Sequence, residues 1–489
     1  NDFAVSVAKT ALWIAESQTL RETERIVNKK IDFLPLRTQA NITEGNALRM
    51  DWNEVAPRED INYIMGNPPF VGHSEKDDDQ KYDIDIVMVD DKGKSIKNSG
   101  KVDYVSGWYK KSLDYINCTN IRCALVSTNS ICQGQQPPIL WKYLFEHGVH
   151  IDFARRTFKW DSDSTHPAGV SCIIVGFSTA PNKKDKVIYY EDGTVKTAKN
   201  INGYLIDYSN IFVKSNNRHP VCDMPKFITG NRPADGGNLI IEAEDYEQFI
   251  EKEPEAKKWI RPLICSDEYI KGKQRWCLWL VGITPHQLRS LPEVYKRVVA
   301  CKQDRLKGAD DRKKLAEKPH LFREQLEPDN YLVVPRHSSE NREYIPIGFL
   351  KKGTIPNDST QIIPNAEIYH FGVLTSSVHM AWMRAVCGRL ESRYRYSKDI
   401  VYNNFPWPSV AEEQKRAIET AAREILAARD MYPDSSLADL YDPGTMPPEL
   451  RKAHNRNDEA VKKAYGYPRD ITEAEIVADL MERYAALTK

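Results

Sequence analysis

The sequence predicts an α/β chain that passes into an α+β region and ends in helices. Apolar runs at 61–66 and 121–127 have strand length, and a stretch of helical periodicity at 102–116 lies between them. Near residue 215 the character changes to an aperiodic stretch rich in Asn, Pro and Gly (SNNRHPVCDMPKFITGNRPADGGNL), and short strand-like runs follow as far as 408. From 410 onward apolar residues recur at helical spacing. The chain therefore divides into residues 1–215, 216–408 and 409–489.

At 489 residues there is chain enough for two to four domains, each with its own core. With 41% hydrophobic and 28% charged residues the composition is that of a globular protein. No run approaches the ~20 apolar residues of a membrane helix, and no secretory signal is expected, since the first residues read as helix. The nine cysteines are scattered and none forms a CxxC pair, so neither a zinc cage nor a disulfide framework is indicated, and the pattern fits a reducing cytoplasm. No GxxxxGK[ST] loop exists, which argues against ATPase or helicase activity. The 69 basic and 69 acidic residues cancel. They are segregated, however: 242–255 is acidic, whereas 257–275 and 296–314 are rich in Lys and Arg. A neutral total can conceal a basic cleft for nucleic acid, or these runs are solvated helix faces.

In chain order, 2–16 reads as a helix with Phe3, Val7, Ala11 and Ile14 on one face, widened by Val5, Ala8 and Leu12. Residues 42–52 suggest a strand ending in a turn at Gly45-Asn46. Residues 61–66 read as a short buried strand, and Asn67-Pro68-Pro69-Phe70 follows it. Neither proline offers an N–H, so the ladder cannot continue. A stiff turn results at the strand's C-terminal end, the rim where open α/β sheets bind ligands. It would fix Asn67 beside carbonyl acceptors and the ring of Phe70. That set matches a planar group with an exocyclic NH2: the Asn67 oxygen and a proline carbonyl each accept one N–H, and the ring stacks.

Residues 73–101 are polar and read as a long mobile loop over the site. Val105, Trp108, Tyr109, Ser112, Leu113 and Ile116 follow helical spacing, with Asp103 and Tyr104 placed to border a ligand pocket. Residues 121–127 form a buried strand, and Thr128-Asn129-Ser130 opens a loop on the same rim. An amphipathic helix is expected near 138–146, then strands at 149–154, 170–177 and 186–190. Between the first two of these strands, Arg155 to Trp160 interleaves basic and aromatic residues. This reads as a loop suited to an extruded base or a phosphate, or as a solvent loop with a packed Trp.

Beyond the change near 215, the stretches VVPRHSSENREYIPIGFL and TIPNDSTQIIPNAEIYHFGVL read as short strands. Arg336, His337, Asn341 and Arg342 lie in segments able to read base edges in a major groove. Arg393, Arg395 and Lys398 alternate with Tyr394, Tyr396 and Tyr402. A guanidinium can donate twice to guanine, and Glu391 can accept from cytosine N4; some of these residues bind phosphate or pack instead. FPWP (405–408) closes the region by aromatic burial. A helix with Ile418, Ala422, Ile425 and Leu426 on one face follows, then a Pro-rich break at 442–451 and a helix over 472–486.

Asn67-Pro68-Pro69-Phe70 resembles the signature of the amino-group DNA methyltransferases, which act on N6 of adenine or N4 of cytosine. NDFAVSVAKTALWIAESQ at the start, ITEGNALRMDW (42–52), YIMGNPPFVG (63–72), ALVSTNSICQGQQ (124–136), FARRTFKW…HPAGVSCIIVGF (153–177) and RYRYSKDIVYNNFPWP (393–408) resemble the MmeI-like (type IIL) restriction–modification enzymes. These stretches stand in the family's order and span most of the chain. The resemblance implies a Rossmann-like methyltransferase sheet over 1–215, incomplete at its N-terminus, then a DNA target-recognition domain over 216–408 and a small helical C-terminal domain over 409–489. It implies S-adenosylmethionine as cofactor, held at Asn46, Ala47 and Asn67, and catalysis by Asn67, Pro68, Pro69 and Phe70. Phe158 and Trp160 would line the target-base pocket, double-stranded DNA would be the partner, and N6 of a flipped adenine the acceptor. The plain alternative for Asn46 is a turn residue.

In the family a glycine-rich cofactor loop and a ribose-binding acid lie upstream. No equivalent precedes Asn67, so a fragment is expected, inactive alone and lacking any nuclease, with the upstream part of its polypeptide as a partner. Two other functions stay open: a DNA-specificity module without catalysis, which the missing loop permits, and a protein glutamine methyltransferase. The latter uses a similar turn but predicts no large DNA-recognition region.

Overall fold

In the computed structural model, which describes residues 2–30, 41–159, 171–181, 184–390 and 392–489, a six-stranded sheet organises the first of two units. That unit comprises Asn1–Cys132 and Gln136–Phe212; the second comprises Gln133–Gln135 and Val213–Lys489. Helix α1 (Asp2–Val27) forms where its periodicity predicts and runs on past residue 16, but it buries none of its residues, and Phe3 is 77% exposed. Residues 42–45, expected as a strand, are not in one. Asn46 explains this: its side-chain oxygen accepts the Leu48 N–H (3.0 Å), and its carbonyl accepts from Arg49 and Met50. Such a local turn competes with sheet pairing. A single helical turn, α2 (Trp52–Val55), follows, capped by Asp51.

Strand β1 (Tyr63–Gly66) pairs in parallel with β2 (Arg122–Thr128) and, among the described residues, with no other strand. The apolar run there predicts a buried strand. Its position at the sheet edge instead leaves Met65 85% exposed; an apolar run cannot by itself distinguish a central strand from an edge.

Where a structureless loop is expected, helix α3 (Asp78–Val87) forms. Asp77 accepts the Gln80 N–H and Gln80 accepts the Asp77 N–H, a complete capping box. Ile84, Val87 and Met88 then pack on Leu48, Val102 and Tyr104. The charged residues around this apolar triplet hide it from a composition reading.

Helices α4 (Ser106–Ile116) and α5 (Pro137–Glu146) form as expected. Val105, Tyr109, Leu113 and Ile116 share one core with Leu125, Val175 and Phe177 of the sheet. The sheet is completed by β3 (His150–Lys159), β4 (Ser171–Ser178), β5 (Lys186–Tyr189) and β6 (Val195–Ala198), in the order β1-β2-β4-β3-β5-β6. Strand β4 runs antiparallel to both its neighbours, whereas β3 and β5 are parallel. The stretch Arg155–Phe158, expected in a loop, is strand: β3 passes two register shifts and still pairs Phe158 with Cys172. Trp160 lies outside the described residues.

The second unit carries short strands throughout: β7 (Ile228–Thr229), β8 (Ile240–Ile241), β9 (Ile260–Ile264), β10 (Trp276–Leu278), β11 (Asn330–Pro335), β12 (His337–Ser338), β13 (Gly348–Lys351), β14 (Ile355–Pro356), β15 (Thr360–Pro364), β16 (Gly388–Leu390) and β17 (Arg393–Arg395). They assemble as β14-β9-β10-β8, β13-β11-β15-β7 and β12-β17-β16. Helices α6 (Ala243–Lys252), α7 (Ser266–Lys271), α8 (Pro285–Arg289), α9 (Pro292–Leu306) and α10 (Asp310–Lys314) lie between β8 and β11 in sequence, and α11 (Ile368–Leu374) and α12 (Ser377–Val386) precede β16. Phe405 and Trp407 of FPWP are buried, as their aromatic character predicts.

The tail is helical: α13 (Glu412–Asp430), the short α14 (Leu437–Leu440), α15 (Pro448–Tyr465) and α16 (Glu473–Leu487). Helix α15 starts inside the Pro-rich stretch that predicts a break. Pro448 takes the first helical position, where a missing N–H costs nothing. No described helix is long and apolar enough to cross a membrane, and all nine cysteines are free.

One buried cation ties the second unit together. Arg305 of α9 is fully buried and, among the described residues, has no carboxylate partner. Its guanidinium donates to the carbonyls of Pro233, Ala234, Leu315, Lys318 and Leu321 at 2.8–3.1 Å. Truncation strands those acceptors in a dry interior. Arg305→Ala is expected to lower the stability of this unit by roughly 3–5 kcal/mol in urea unfolding, with Arg305→Lys intermediate, because an ammonium reaches fewer of the carbonyls.

Candidate functional site

Three chain segments meet at one rim of the first sheet. In the register of the sheet Gly66, the last residue of β1, lies beside Leu125, so Asn67 follows directly and β2 ends three residues further on, at Thr128. Thr128 and Phe158 both pair with Cys172 of β4. The Asn67 turn, the Asn129 loop and Phe158 therefore share the rim where a ligand is expected.

The turn is held from behind. Val71 accepts the Tyr104 N–H (2.9 Å), and Asp103 accepts the His73 N–H (2.9 Å). Lys76 is 4% exposed and donates to the Val102 carbonyl at 2.8 Å; burial pulls its pKa down. Asp103 and Tyr104, expected to border a pocket, thus anchor the backbone that follows Phe70. Pro68 is buried, Pro69 exposed and Phe70 half-buried. Asn67 is exposed, and its carboxamide makes no hydrogen bond among the described residues.

A cavity of about 560 Å³ opens beside this turn. All four residues of β1 line it together with Asn67, Pro68 and Pro69. Successive strand residues face opposite sides, so a cavity touching every one of them runs along the strand's open edge. Trp52, Trp108 and Tyr115 supply aromatic walls, and among the described residues no charged side chain is part of the lining. Among the described residues, the lining holds no charged partner for the carboxylate and ammonium of an amino-acid headgroup, and no acid for a ribose.

Asn46 and Ala47 are not among the residues lining this groove. The Asn46 amide donates to Asp83 Oδ2 (2.8 Å), and its oxygen is taken by Leu48. The Ala47 carbonyl accepts from Trp52 Nε1 (2.8 Å). Asp83 is the hub here, also accepting from Tyr104 Oη (2.6 Å) and Arg49 Nε (2.5 Å). Burial by itself would raise the Asp83 pKa, but the bonds from Tyr104, Arg49 and Asn46 outweigh it and hold the carboxyl below its usual range. Burial, then Asp83, pushes the Tyr104 hydroxyl up to about 12. Asp83 went unnoticed in the sequence because it lies in the charged stretch that reads as a loop.

On β3, the Arg155 guanidinium sits 5.2 Å from the Phe158 ring centre, and Thr157 donates to Asn129 (3.2 Å).

The second unit gathers four of the expected DNA-binding residues. In the sheet β12-β17-β16, His337 pairs with Arg395 and Ser338 with Tyr394. Arg393 and Arg395 are exposed on one face, with buried Tyr394 between them on the other. Burial first, then Arg395, lowers the Arg336 pKa, and burial with Arg336, Arg395 and Arg393 lowers that of His337. The neighbouring guanidinium groups act in the same direction as burial, which holds His337 toward its neutral form. Arg232, which sequence reading passed over, acts on Arg336 as well and is paired with Asp358 at 3.0 Å.

The remaining expected contacts sit differently. Asn341 is exposed in a turn. Arg342 is half-buried, and the acids acting on it are Asp442 and Asp267. Lys398 is half-buried at the start of a π-helical turn, Lys398–Tyr402. Glu391 lies outside the described residues.

Family models of three MmeI domains match the chain in succession: the DNA-methyltransferase domain at residues 1–190, the target recognition domain at 207–409 and the C-terminal domain at 410–489. DNA methyltransferase A of Bacillus subtilis (strain 168) is 40% identical over 493 residues, covering 100% of this chain and 55% of that protein. The solved structure of the type IIL restriction-modification enzyme MmeI in complex with DNA superposes with a TM-score of 0.90 at 40% identity, covering 100% of this chain and 65% of that one. The chain thus spans little more than half the length of the curated relative it matches.

The Asp83 hub has a sign that can be checked. A carboxyl whose folded pKa lies below its unfolded value of ~3.9 stabilises the fold above that value, and the contribution is lost as pH falls through the folded pKa. Asp83→Asn should make the first unit less stable near neutrality and flatten its loss of stability below about pH 4, measured as thermal melting against pH.

Proposed function

We propose, from the premise that this chain belongs to the MmeI family, that it is the modification part of a restriction–modification enzyme: a site-specific methyltransferase acting on the N6 amine of adenine in duplex DNA. One observation carries this reading. Asn67 stands exposed and uncommitted on a rigid turn at the sheet rim, facing an open groove. In this reading residues 1–215 hold the amine, 216–408 read the sequence and 409–489 form the helical brace.

S-adenosylmethionine supplies an electrophilic methyl group when bound. The charged partners that the donor's amino-acid end needs are not among the described groove residues; the residues of this chain act on the amine. An exocyclic amine is a weak nucleophile because its lone pair is delocalised into the ring. Asn67 Oδ1 and the Pro68 carbonyl accept its two N–H groups, which favours a tetrahedral nitrogen and frees the lone pair. No strong base is required, since the proton leaves after transfer to surrounding water. The target atom lies inside the duplex, so the base must turn out of the stack. Phe70 then stacks on it, worth roughly 1–3 kcal/mol, and Phe158 stands at the same rim.

A second reading, a DNA-specificity module without catalysis, is supported by the match of the target recognition domain model to residues 207–409. Labelled S-adenosylmethionine, duplex DNA and protein extract separate the readings when given to the intact protein. Label on adenine N6 supports the proposal. Label on protein alone overturns it, and DNA binding without transfer favours the module. Asn67→Ala should slow methylation roughly 10²–10³-fold, as for loss of one preorganised transition-state contact, while the Kd for duplex DNA stays unchanged.

A further inference from the structure

We propose that Arg389, braced by the strap Gln133–Gln135, is a positioning residue for base reading: it fixes the β16–β17 hairpin that presents Arg393 and Arg395. The proposal rests on the reading of the second unit as a DNA-sequence reader.

Strand parity separates Arg389 from the reading face. It pairs directly with Tyr394, so it shares the face of that buried ring, opposite to Arg393 and Arg395. Its guanidinium lies 4.5 Å from the Tyr394 ring centre. One arm donates to the Ser392 carbonyl (2.8 Å), crossing the hairpin turn, and Nε donates to Gln133 Oε1 (3.2 Å). A single side chain therefore links both strands, the turn and the strap.

The strap is built for close contact. Gly134 has φ +64, and a Cβ there would meet the Gly388 Cα at 3.3 Å. Its N–H donates to the Val386 carbonyl at 2.9 Å. Gln135 Nε2 donates to Asp399 Oδ2 (3.0 Å), which Ser215 also reaches at 2.7 Å. Three consecutive residues, distant in sequence, thus grip the chain before and after the hairpin. Strands β16 and β17 have three residues each and β12 two, shorter than the usual ~5–6, so ties from outside the sheet add to their support. A guanidinium that donates twice to one base edge tolerates a placement error of only ~0.5 Å.

The test uses the intact protein, a random duplex library selected by binding and sequenced, and a salt titration of binding. Arg389→Ala is expected to relax base preference at one or more positions on the order of tenfold with an unchanged salt slope, because no phosphate contact is lost. Arg389→Lys keeps the charge but not the fork, and should relax preference likewise. Gln133→Glu retains an acceptor and should keep the native preference.

Unchanged preference in Arg389→Ala overturns the proposal. So does a salt slope lowered by about one, the mark of a direct phosphate contact. Should Arg389→Ala fail to fold, Gln133→Ala removes only the brace, and native preference in that variant overturns the proposal. If the unsubstituted protein selects no sequence at all, the reading beneath the proposal fails with it. A selective native protein with equally selective variants sinks the positioning role alone.

Discussion

Two missing donors set the geometry of the first unit. At Pro68 and Pro69 the backbone has no N–H to give, so β1 stops within four residues and its last turn cannot be absorbed into the sheet. Asn67 is thereby left at the rim with its carboxamide unspent. The surrounding bonds serve this outcome. Tyr104 N–H, Asp103 and Lys76 secure the backbone beyond Phe70, and none of them touches the carboxamide. The prolines withhold pairing and the clamp withholds movement, which is how a loop acquires the rigidity of a strand.

The second unit solves a related problem with alternation. A two-residue period places cations on one side of β17 and a buried tyrosine on the other. The tyrosine anchors the strand from beneath, and the arginines lie on its exposed face. Crowding Arg336, Arg393 and Arg395 around His337 favours the neutral form of that ring. The formal charge of zero conceals this, since a net count carries no position.

Much of this was legible in the residues themselves, and the failures are specific. The turn at Asn67, the core face Val105–Ile116 and the strand at 122–128 follow from local chemistry and period. The family resemblance, independently of period, pointed to the family that the domain models also match. Helix α3 was hidden because charge dominated the composition of 73–101 while three apolar residues carried the packing. The Arg155–Phe158 extension of β3 looked like a loop because a bulge breaks its alternation. The short strand at Asn46 failed because its side chain bonds its own backbone. Arg389 and the strap could not be seen at all: residues 256 apart in sequence leave no local signature of their contact.

The parity of the β16–β17 hairpin constrains how such a surface can diversify. Replacing an outward arginine alters the exposed face and leaves the framework intact. Adding or deleting a single residue within the strand would turn the tyrosine outward and drive arginines into the interior. Changes of length are therefore tolerable only in twos, whereas changes of identity at every second position are free to accumulate. A lineage built on this hairpin can vary its exposed face by substitution, but not by shifting the frame.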